Sequence, residues 1–507
     1  MKLALPSQIK KIDAFAIESL GIPAVELMGR SGRAVAEAVR ALAPRGGSVV
    51  ILAGKGNNGG DGYAAACELN SEYRVKLIDV FSAGQRTEEG RYYLDKFASI
   101  GGCICTPGEI ESIAADVIVD AIFGTGFLGE PPESLSILAD LVEASNAKKI
   151  AVDVPLGVNA DNGSVSEIHI RADITVALSY LKPGLLSYPA KEYCGNVILD
   201  TIGMPRDEIE KYIDFSSFLF DGKEAISALP KRDSNSNKGS FGKALLITGS
   251  KTYPGAGILT LEAALRGGAG YVTQIADSSD IEAYIQLLPE TLFARDLILD
   301  GEYDIECILA FAEKSSSILI GSGCEPTSSL ADLTEELVKS RGAPLIIDAS
   351  AINALAKYKS KEILKKSKRK VVLTPHPLEL SRLLGVTTDE IQANRIGVAR
   401  DFAKEYGVIL VLKGAATVTT DGNVTYINSS GSSALAKAGS GDVLAGLLAS
   451  LLAYCSDYVK ATALAVYLHG KAADNLSSVL SKFGVIPSDL PIEIAKEIRE
   501  IEKTKGE

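Results

Sequence analysis

The chain has no tryptophan, three methionines and three histidines among 507 residues. His169, His376 and His469 lie far apart, and none neighbours a cysteine cluster. The seven cysteines are scattered without a C-x-x-C pair, and only Cys103 and Cys105 are close. Both features argue against a disulfide framework and against a zinc site, and they fit a reducing, cytoplasmic setting. Long apolar runs are also missing. The longest, Val443 to Cys455, is bounded by Asp442 and Asp457 and falls short of the ~20 residues that cross a membrane. The first residues offer no apolar core for a secretory leader. Positive charge is in short supply, with 52 Lys and Arg against 64 Asp and Glu and a formal net charge of −12. Such a chain is not built to bind nucleic acid. Any phosphate it binds is expected to be held locally, by backbone N–H groups and single lysines.

What remains is ordinary globular material. Hydrophobic residues make up 46% and charged residues 23%, and the length suits two to four domains. Apolar, β-branched runs that do not alternate occur at 48–53, 75–81, 116–123, 149–154, 174–178 and 197–200. Helical stretches separate them, so a parallel sheet covered on both faces is expected. The pattern breaks after residue 203 and resumes after the Ser/Asn-rich stretch 227–238. A second series of strands is expected at 243–248, 270–275, 317–321, 344–347, 371–374, 408–412, 417–419 and 424–427, with helices around 441–454 and 458–476. This gives an α/β protein of two domains, 1–205 and 226–507, joined by a linker at 206–225. The first is a Rossmann-like three-layer α/β/α sandwich.

Gly54-Lys-Gly56-Asn57-Asn58-Gly59 follows a strand, opens a helix and matches G-x-G-x-x-G, with Asp79 twenty residues on. That is the dinucleotide fingerprint, and a nicotinamide dehydrogenase competes on this motif. Its continuation through Gly60-Asp61 is odd company for a pyrophosphate. Asp120 precedes Gly124-Thr125-Gly126-Phe127-Leu128-Gly129-Glu130, and Asp153 ends a further strand before Val-Pro-Leu156-Gly157. Ligands of parallel sheets bind beyond the C-terminal strand ends, so Asn58, Asp120 and Asp153 are expected to share a cleft, with Lys182 facing it. Amide, carboxylate and carbonyl oxygens suit an alkali or alkaline-earth cation.

These segments resemble the NAD(P)H-hydrate epimerase family over roughly residues 5–205. The resemblance implies that Asn57, Asn58, Gly59, Gly60 and Asp61, the run from Gly124 to Glu130 and Asp153 bind hydrated NADH or NADPH. It also implies a potassium ion near Asn58, Asp120 and the backbone carbonyl of Leu156, where the family usually has serine. Asp153 is the expected acid–base group, with Lys182 beside it.

In the second half, Lys437-Ala-Gly439-Ser440-Gly441-Asp442 runs straight into an apolar helix. Small residues let an anion approach, and the helix end supplies free N–H donors. That suits a transferring phosphoryl group, with Asp442 placed to take a hydroxyl proton. Lys413-Gly414-Ala415-Ala416-Thr417 ends a strand and can face a nucleotide. His376 sits between two prolines in Thr374-Pro-His376-Pro-Leu378-Glu379. Together with Lys238-Gly-Ser-Phe-Gly and Ile-Asp348-Ala, these motifs resemble ribokinase-like proteins, most closely the ADP- or ATP-dependent NAD(P)H-hydrate dehydratases, over about 225–505. The resemblance places Asp442 beside substrate. It places Lys413 to Thr417 with Gly439, Ser440 and Gly441 at the nucleotide, and Ala256, Gly323 and His376 at the hydrate. It implies magnesium with ADP or ATP. The chain departs from that family at Gly321-Ser-Gly323-Cys324-Glu325, Ser350 and Leu378.

The expected function is therefore repair of hydrated NADH and NADPH by an epimerase joined to a dehydratase, in a cytoplasmic homo-oligomer acting on small molecules. A vitamin-precursor type of kinase with a non-catalytic N-terminal module stays open beside it.

Overall fold

The computed structural model describes residues 1–81, 85–127, 129–299 and 301–506, with Ser278 and Ser279 described by backbone alone. The chain divides into two compact units, Lys2–Ser217 and Phe218–Glu507. The stretch 206–225, expected as a linker, contains the helix Arg206–Tyr212, the strand Ser217–Phe220 and the start of the helix Gly222–Ala228.

The first unit is built on seven strands in the order Cys103–Cys105, Arg74–Asp79, Ser48–Ala53, Val117–Ala121, Lys148–Val152, Ile174–Leu178 and Asn196–Asp200. Every adjacent pair is parallel. Because side chains alternate along a strand, the two faces of this sheet pack against different layers. Val50, Leu52, Ile118 and Ile122 join Leu138, Val142 and Leu156 in one apolar cluster. The opposite face meets the helix Asn57–Leu69, where a side-chain carbon on Gly62 would fall 2.7 Å from Ala121 Cβ and 3.3 Å from Ile51 Cγ2. Chain order reverses between Ser48–Ala53 and Val117–Ala121, which opens a crevice beyond their C-terminal ends. Gly59 explains the tight turn there, since a β-carbon would meet the Gly54 carbonyl oxygen at 1.8 Å.

The second unit has a longer sheet, running in order through Ser217–Phe220, Thr425–Asn428, Val418–Thr420, Ile409–Leu412, Val371–Leu373, Leu345–Ile347, Ser317–Ile320, Lys243–Ile247, Tyr271–Ile275 and Leu292–Ala294. From Ile409–Leu412 to Leu292–Ala294 the pairs are parallel. Val418–Thr420 and Thr425–Asn428 add an antiparallel edge. The helix Ser440–Tyr454 is apolar on all sides and buried from Val443 to Leu452, as a helix inside a layered core must be. It packs on the helix Pro254–Arg266 so closely that a β-carbon on Gly446 would meet the Thr260 carbonyl oxygen at 2.1 Å.

The expected strands are present, mostly a residue or two shorter than the apolar runs. Four were not anticipated: Lys2–Leu3, Cys103–Cys105, Ser217–Phe220 and Leu292–Ala294. The short hairpin Ile298–Leu299 with Glu302–Tyr303 was missed too.

Candidate active sites

In the first unit a cavity of about 510 Å³ lies at the crevice where strand order reverses. Asn57, Asn58, Asp61, Gly124, Thr125, Gly126, Phe127, Asp153 and Lys182 all line it. The structure therefore gathers most of the expected residues. Gly59 and Gly60 do not reach the lining. They are buried, Gly59 against Gly54 and Gly60 against Met28. Gly129 and Glu130 are exposed outside the lining, and Leu128 lies outside the described residues.

Asp153 ends its strand in a left-handed conformation, φ 64°. One carboxylate oxygen accepts from Leu178 N–H at 3.1 Å and is ion-paired with the fully buried Lys182 ammonium. Lys182 also donates to the Leu178 carbonyl at 2.8 Å. Asp61 belongs to the same group. Burial, with Asp153 and Asp13 nearby, pushes its carboxyl well above the usual carboxylate range. Asn58 is buried, and its Nδ2 has no hydrogen-bond partner among the described residues, so the amide is available to a ligand.

Asp120 is almost wholly buried and does not line the cavity. Its two oxygens accept from Ile122 N–H at 3.2 Å and Leu156 N–H at 2.7 Å. Burial pushes its carboxyl up to about 6, although both backbone bonds pull it down. Neither contact supplies positive charge. Oxygen donors of this kind would suit a hard cation. The Leu156 side chain is buried in the apolar cluster, and its carbonyl accepts from Ile170 N–H at 3.1 Å. A carbonyl has a second lone pair, so this oxygen can still serve an ion.

Asp79, the acidic position of the dinucleotide fingerprint, is ion-paired with Arg86 and approached by the Tyr63 hydroxyl at 3.4 Å. A ribose would have to displace that guanidinium. The fingerprint here serves the turn rather than a dehydrogenase's cofactor.

In the second unit three neighbouring strands deliver their C-terminal ends to one place. Asp348 follows Leu345–Ile347, Thr374 follows Val371–Leu373, and Lys413 follows Ile409–Leu412. Asp348 accepts from Ser322 Oγ at 2.7 Å and Thr374 Oγ1 at 2.6 Å, and pairs with Lys413 Nζ at 3.1 Å. Lys413 also lies 3.8 Å from Glu379. Burial alone would lower its pKa, but Asp348, Glu379 and Asp442 outweigh this and raise it. Gly439 opens the helix at φ 98°, a conformation that favours glycine. A β-carbon on Gly441 would lie 3.6 Å from Lys413 Nζ. Asp442 stands beside this group, and burial, then the Asp348 charge, pushes it up to about 7 against the pull of Lys413. Ser440 Oγ lies 3.2 Å from His469 Nε2 on the neighbouring helix. Burial lowers that imidazole to about 4, so it is neutral.

His376 caps the helix Pro377–Leu384. Its Nδ1 accepts from Glu379 N–H at 3.2 Å, and the His376 backbone N–H donates to Glu379 Oε2 at 2.9 Å. Ala256 and Gly323 are adjacent, since a β-carbon on Gly323 would meet Ala256 Cβ at 2.4 Å. Gly414, Ala415, Ala416 and Thr417 form the turn after Lys413, with Thr417 Oγ1 donating to the Gly414 carbonyl at 2.7 Å. Leu378 causes no strain, being in the first turn of a regular helix with its side chain 46% exposed. Cys324 is buried and donates to the Ile247 carbonyl at 3.3 Å. Motif reading missed Asp13, which lines the first cavity, and His469. It quoted Asp348 without giving it a role.

Two family models match the chain. One is described as NAD(P)H-hydrate dehydratase and covers residues 244–499. The other is described as YjeF-related protein N-terminus and covers residues 24–184. A bifunctional NAD(P)H-hydrate repair enzyme of Moorella thermoacetica is 32% identical over 97% of this chain and 95% of its own. The chain belongs to the bifunctional NAD(P)H-hydrate repair enzyme family. The Escherichia coli member is 32% identical over 95% of this chain and 91% of its own. Among solved structures, an ADP/ATP-dependent NAD(P)H-hydrate dehydratase of Bacillus subtilis, co-crystallized with ATP and Mg2+, is 30% identical. It covers 56% of this chain and 99% of its own, with a TM-score of 0.50. A ribokinase-like superfamily protein of Enterococcus faecalis is 26% identical with the same TM-score. Membership in this family accounts for both expected halves, and the second unit is ribokinase-like. No helix among the described residues is long and apolar enough to cross a membrane.

Proposed function

We propose that this protein repairs NADH and NADPH damaged by addition of water to the nicotinamide ring. The first unit interconverts the R and S hydrates, and the second removes water from the S form with ADP or ATP as phosphoryl donor. The observation that carries this is the match of both units to one bifunctional family, with an aspartate beside a lysine where each motif leads.

Hydroxide is a poor leaving group, whereas a phosphorylated hydroxyl leaves readily. Asp442, poised near neutrality, takes the proton as the ring hydroxyl attacks the terminal phosphate. A base whose pKa lies near the working pH does this best. The Gly439–Gly441 turn and the helix N-terminus stabilise the charge on the phosphoryl oxygens. Elimination of phosphate then restores the reduced ring. Among the described residues no group of three His, Cys, Asp or Glu side chains is placed to hold a metal. Magnesium bound with the nucleotide would neutralise the charge of its phosphates. Ala415 and Thr417 border the nucleotide, and His376, Ala256 and Gly323 the hydrate. In the first unit the Asn58 amide and the turn from Gly124 to Phe127 hold the dinucleotide. Asp120, with the Asn58 and Leu156 oxygens, would hold potassium. The protein acts in the cytoplasm as a homo-oligomer.

The test follows the transferred phosphoryl group with γ-labelled ATP and the S hydrate. Label released as free phosphate, together with regained reduced-nicotinamide absorbance, supports dehydration. Label kept on a stable organic product makes the second unit a small-molecule kinase. Asp442→Asn is expected to lose turnover by roughly a thousandfold, within the range for a positioned base, while still binding nucleotide.

A further inference from the structure

Epimerising a ring hydrate requires two proton transfers, one to the oxygen that leaves a ring carbon and one from the oxygen that returns to it. Water adds to an enamine at the carbon bonded to nitrogen, because the nitrogen lone pair stabilises the cation left when it departs. The hydroxyl must leave one face as water, and water must return on the other. Asp153 suits one of these tasks. Leu178 N–H and the Lys182 ammonium both donate to one of its oxygens, which fixes the carboxylate in place as an acceptor. The proton donor need not be the same group.

A different element supplies a better one. Asp13, on the helix Pro6–Ala14, lines the cavity that also contains Asp153, Asp61 and Lys182. Among the described residues it has no hydrogen-bond or ion-pair partner of its own. Asn58, buried with a free Nδ2, faces the same cavity, so the carboxyl stands where a polar ligand is recognised. We propose that Asp13 is the acid partner of Asp153, giving the proton that lets the ring hydroxyl leave as water. This rests on the epimerase reading of the first unit.

The transfers balance. Asp13 protonates the hydroxyl oxygen, the C–O bond breaks, and the nitrogen lone pair fills the gap as water departs. A water molecule then adds to the opposite face of that carbon and gives a proton to Asp153. Water returns this proton to Asp13, so no oxidant or co-substrate is consumed. Burial first, then the Asp153 charge, pushes the Asp13 carboxyl up to about 6, against the pull of Lys182. A useful share is therefore protonated near neutrality. The other charged groups on the cavity wall are Lys10, Lys55, Asp61 and Glu89.

The test measures epimerisation of separated hydrates by the full-length protein, Asp13→Asn and Asp13→Glu, with potassium, across pH 5 to 9. The expected result is a fall in kcat of about a hundredfold or more for Asp13→Asn, typical of a lost general acid, with KM within about threefold. The wild-type rate should decline above about pH 6 as Asp13 loses its proton, and Asp13→Asn should lack that decline. Asp13→Glu, which keeps the carboxyl on a longer arm, should retain both part of the rate and the decline. An active wild type with Asp13→Asn undiminished, or changed in KM alone, overturns the role of Asp13. A wild type that does not epimerise overturns the epimerase reading and this proposal with it. If Asp13→Asn does not fold, Asp13→Glu decides through its pH profile, and a profile without the decline overturns the proposal.

Discussion

Lys413 Nζ and Asp348 Oδ1 meet at 3.1 Å beside the start of the helix that carries Asp442. The lysine therefore does more than point at a nucleotide. It balances three carboxylates, the buried Asp348 and Glu379 and the half-buried Asp442. The electrostatic consequence can be measured. Lys413 holds Asp442 down, against burial and the Asp348 charge, at about 7. In Lys413→Met that restraint is gone, so Asp442 should keep its proton to higher pH. The pH–rate profile of dehydration should rise through about 7 in the wild type and shift upward in the variant, with activity partly regained at pH 9. An unshifted midpoint would separate Lys413 from Asp442. Lys413→Met should also be less stable by about 3–5 kcal/mol, the usual cost of breaking a buried pair from one side.

The Asp153–Lys182 pair gives the corresponding test in the first unit. Lys182 is fully buried and is the cation held against Asp153, with Asp13 and Asp61 close by. Lys182→Met leaves these carboxylates without it. The folded pKa values of Asp13 and Asp61, already raised by burial, then rise further above the unfolded values. Stability is lost as pH increases through them and recovers on acidification. Thermal melting should show a Tm deficit at pH 8 that narrows by pH 5. The double variant Lys182→Met with Asp153→Leu should recover part of the deficit, because the carboxylate paired directly with Lys182 is removed with it. A deficit that stays equal at both pH values would contradict this account.

Potassium should act through Asp120. Its folded pKa of about 6 lies above the ordinary carboxylate value, so the ionised form destabilises the fold at neutral pH. A bound cation offsets that cost, and only where Asp120 is ionised. Replacing choline by potassium chloride should raise Tm at pH 7.5 and have little effect at pH 5. In Asp120→Asn the difference should vanish at both. Equal Tm in the two salts for the wild type would remove the ion from this site.

Much of this arrangement was legible in the sequence because backbone geometry left its mark on residue type. Gly54, Gly59 and Gly62 lie where a β-carbon would strike a neighbouring strand or turn, so the first crevice was written in glycines. Asp153 and Asp442 follow motifs in the same way. Asp13 was not legible. A single aspartate beside Ile9 and Ile12 on a short helix reads as an ordinary polar position until the helix is folded over the cavity. His469 was hidden in an apolar helix for the same reason, since Ser440 lies 29 residues away in sequence. Cys103–Cys105 and Leu292–Ala294 escaped as strands because an edge strand of three residues is too short an apolar run to stand out from its surroundings. Lys413 is visible at the end of its strand, but Asp348 follows another strand and Glu379 and Asp442 lie on two helices, and no local motif records that.

The most direct test of the whole account is one absorbance trace at the reduced-nicotinamide band. The protein is mixed with both R and S NADH hydrate, magnesium, potassium and either ADP or ATP. The account predicts recovery of the entire mixture, faster than the hydrates interconvert unaided, with at least one of the two nucleotides. Recovery of the S share alone would contradict the role given to the first unit, and no recovery with either nucleotide would contradict the repair function itself.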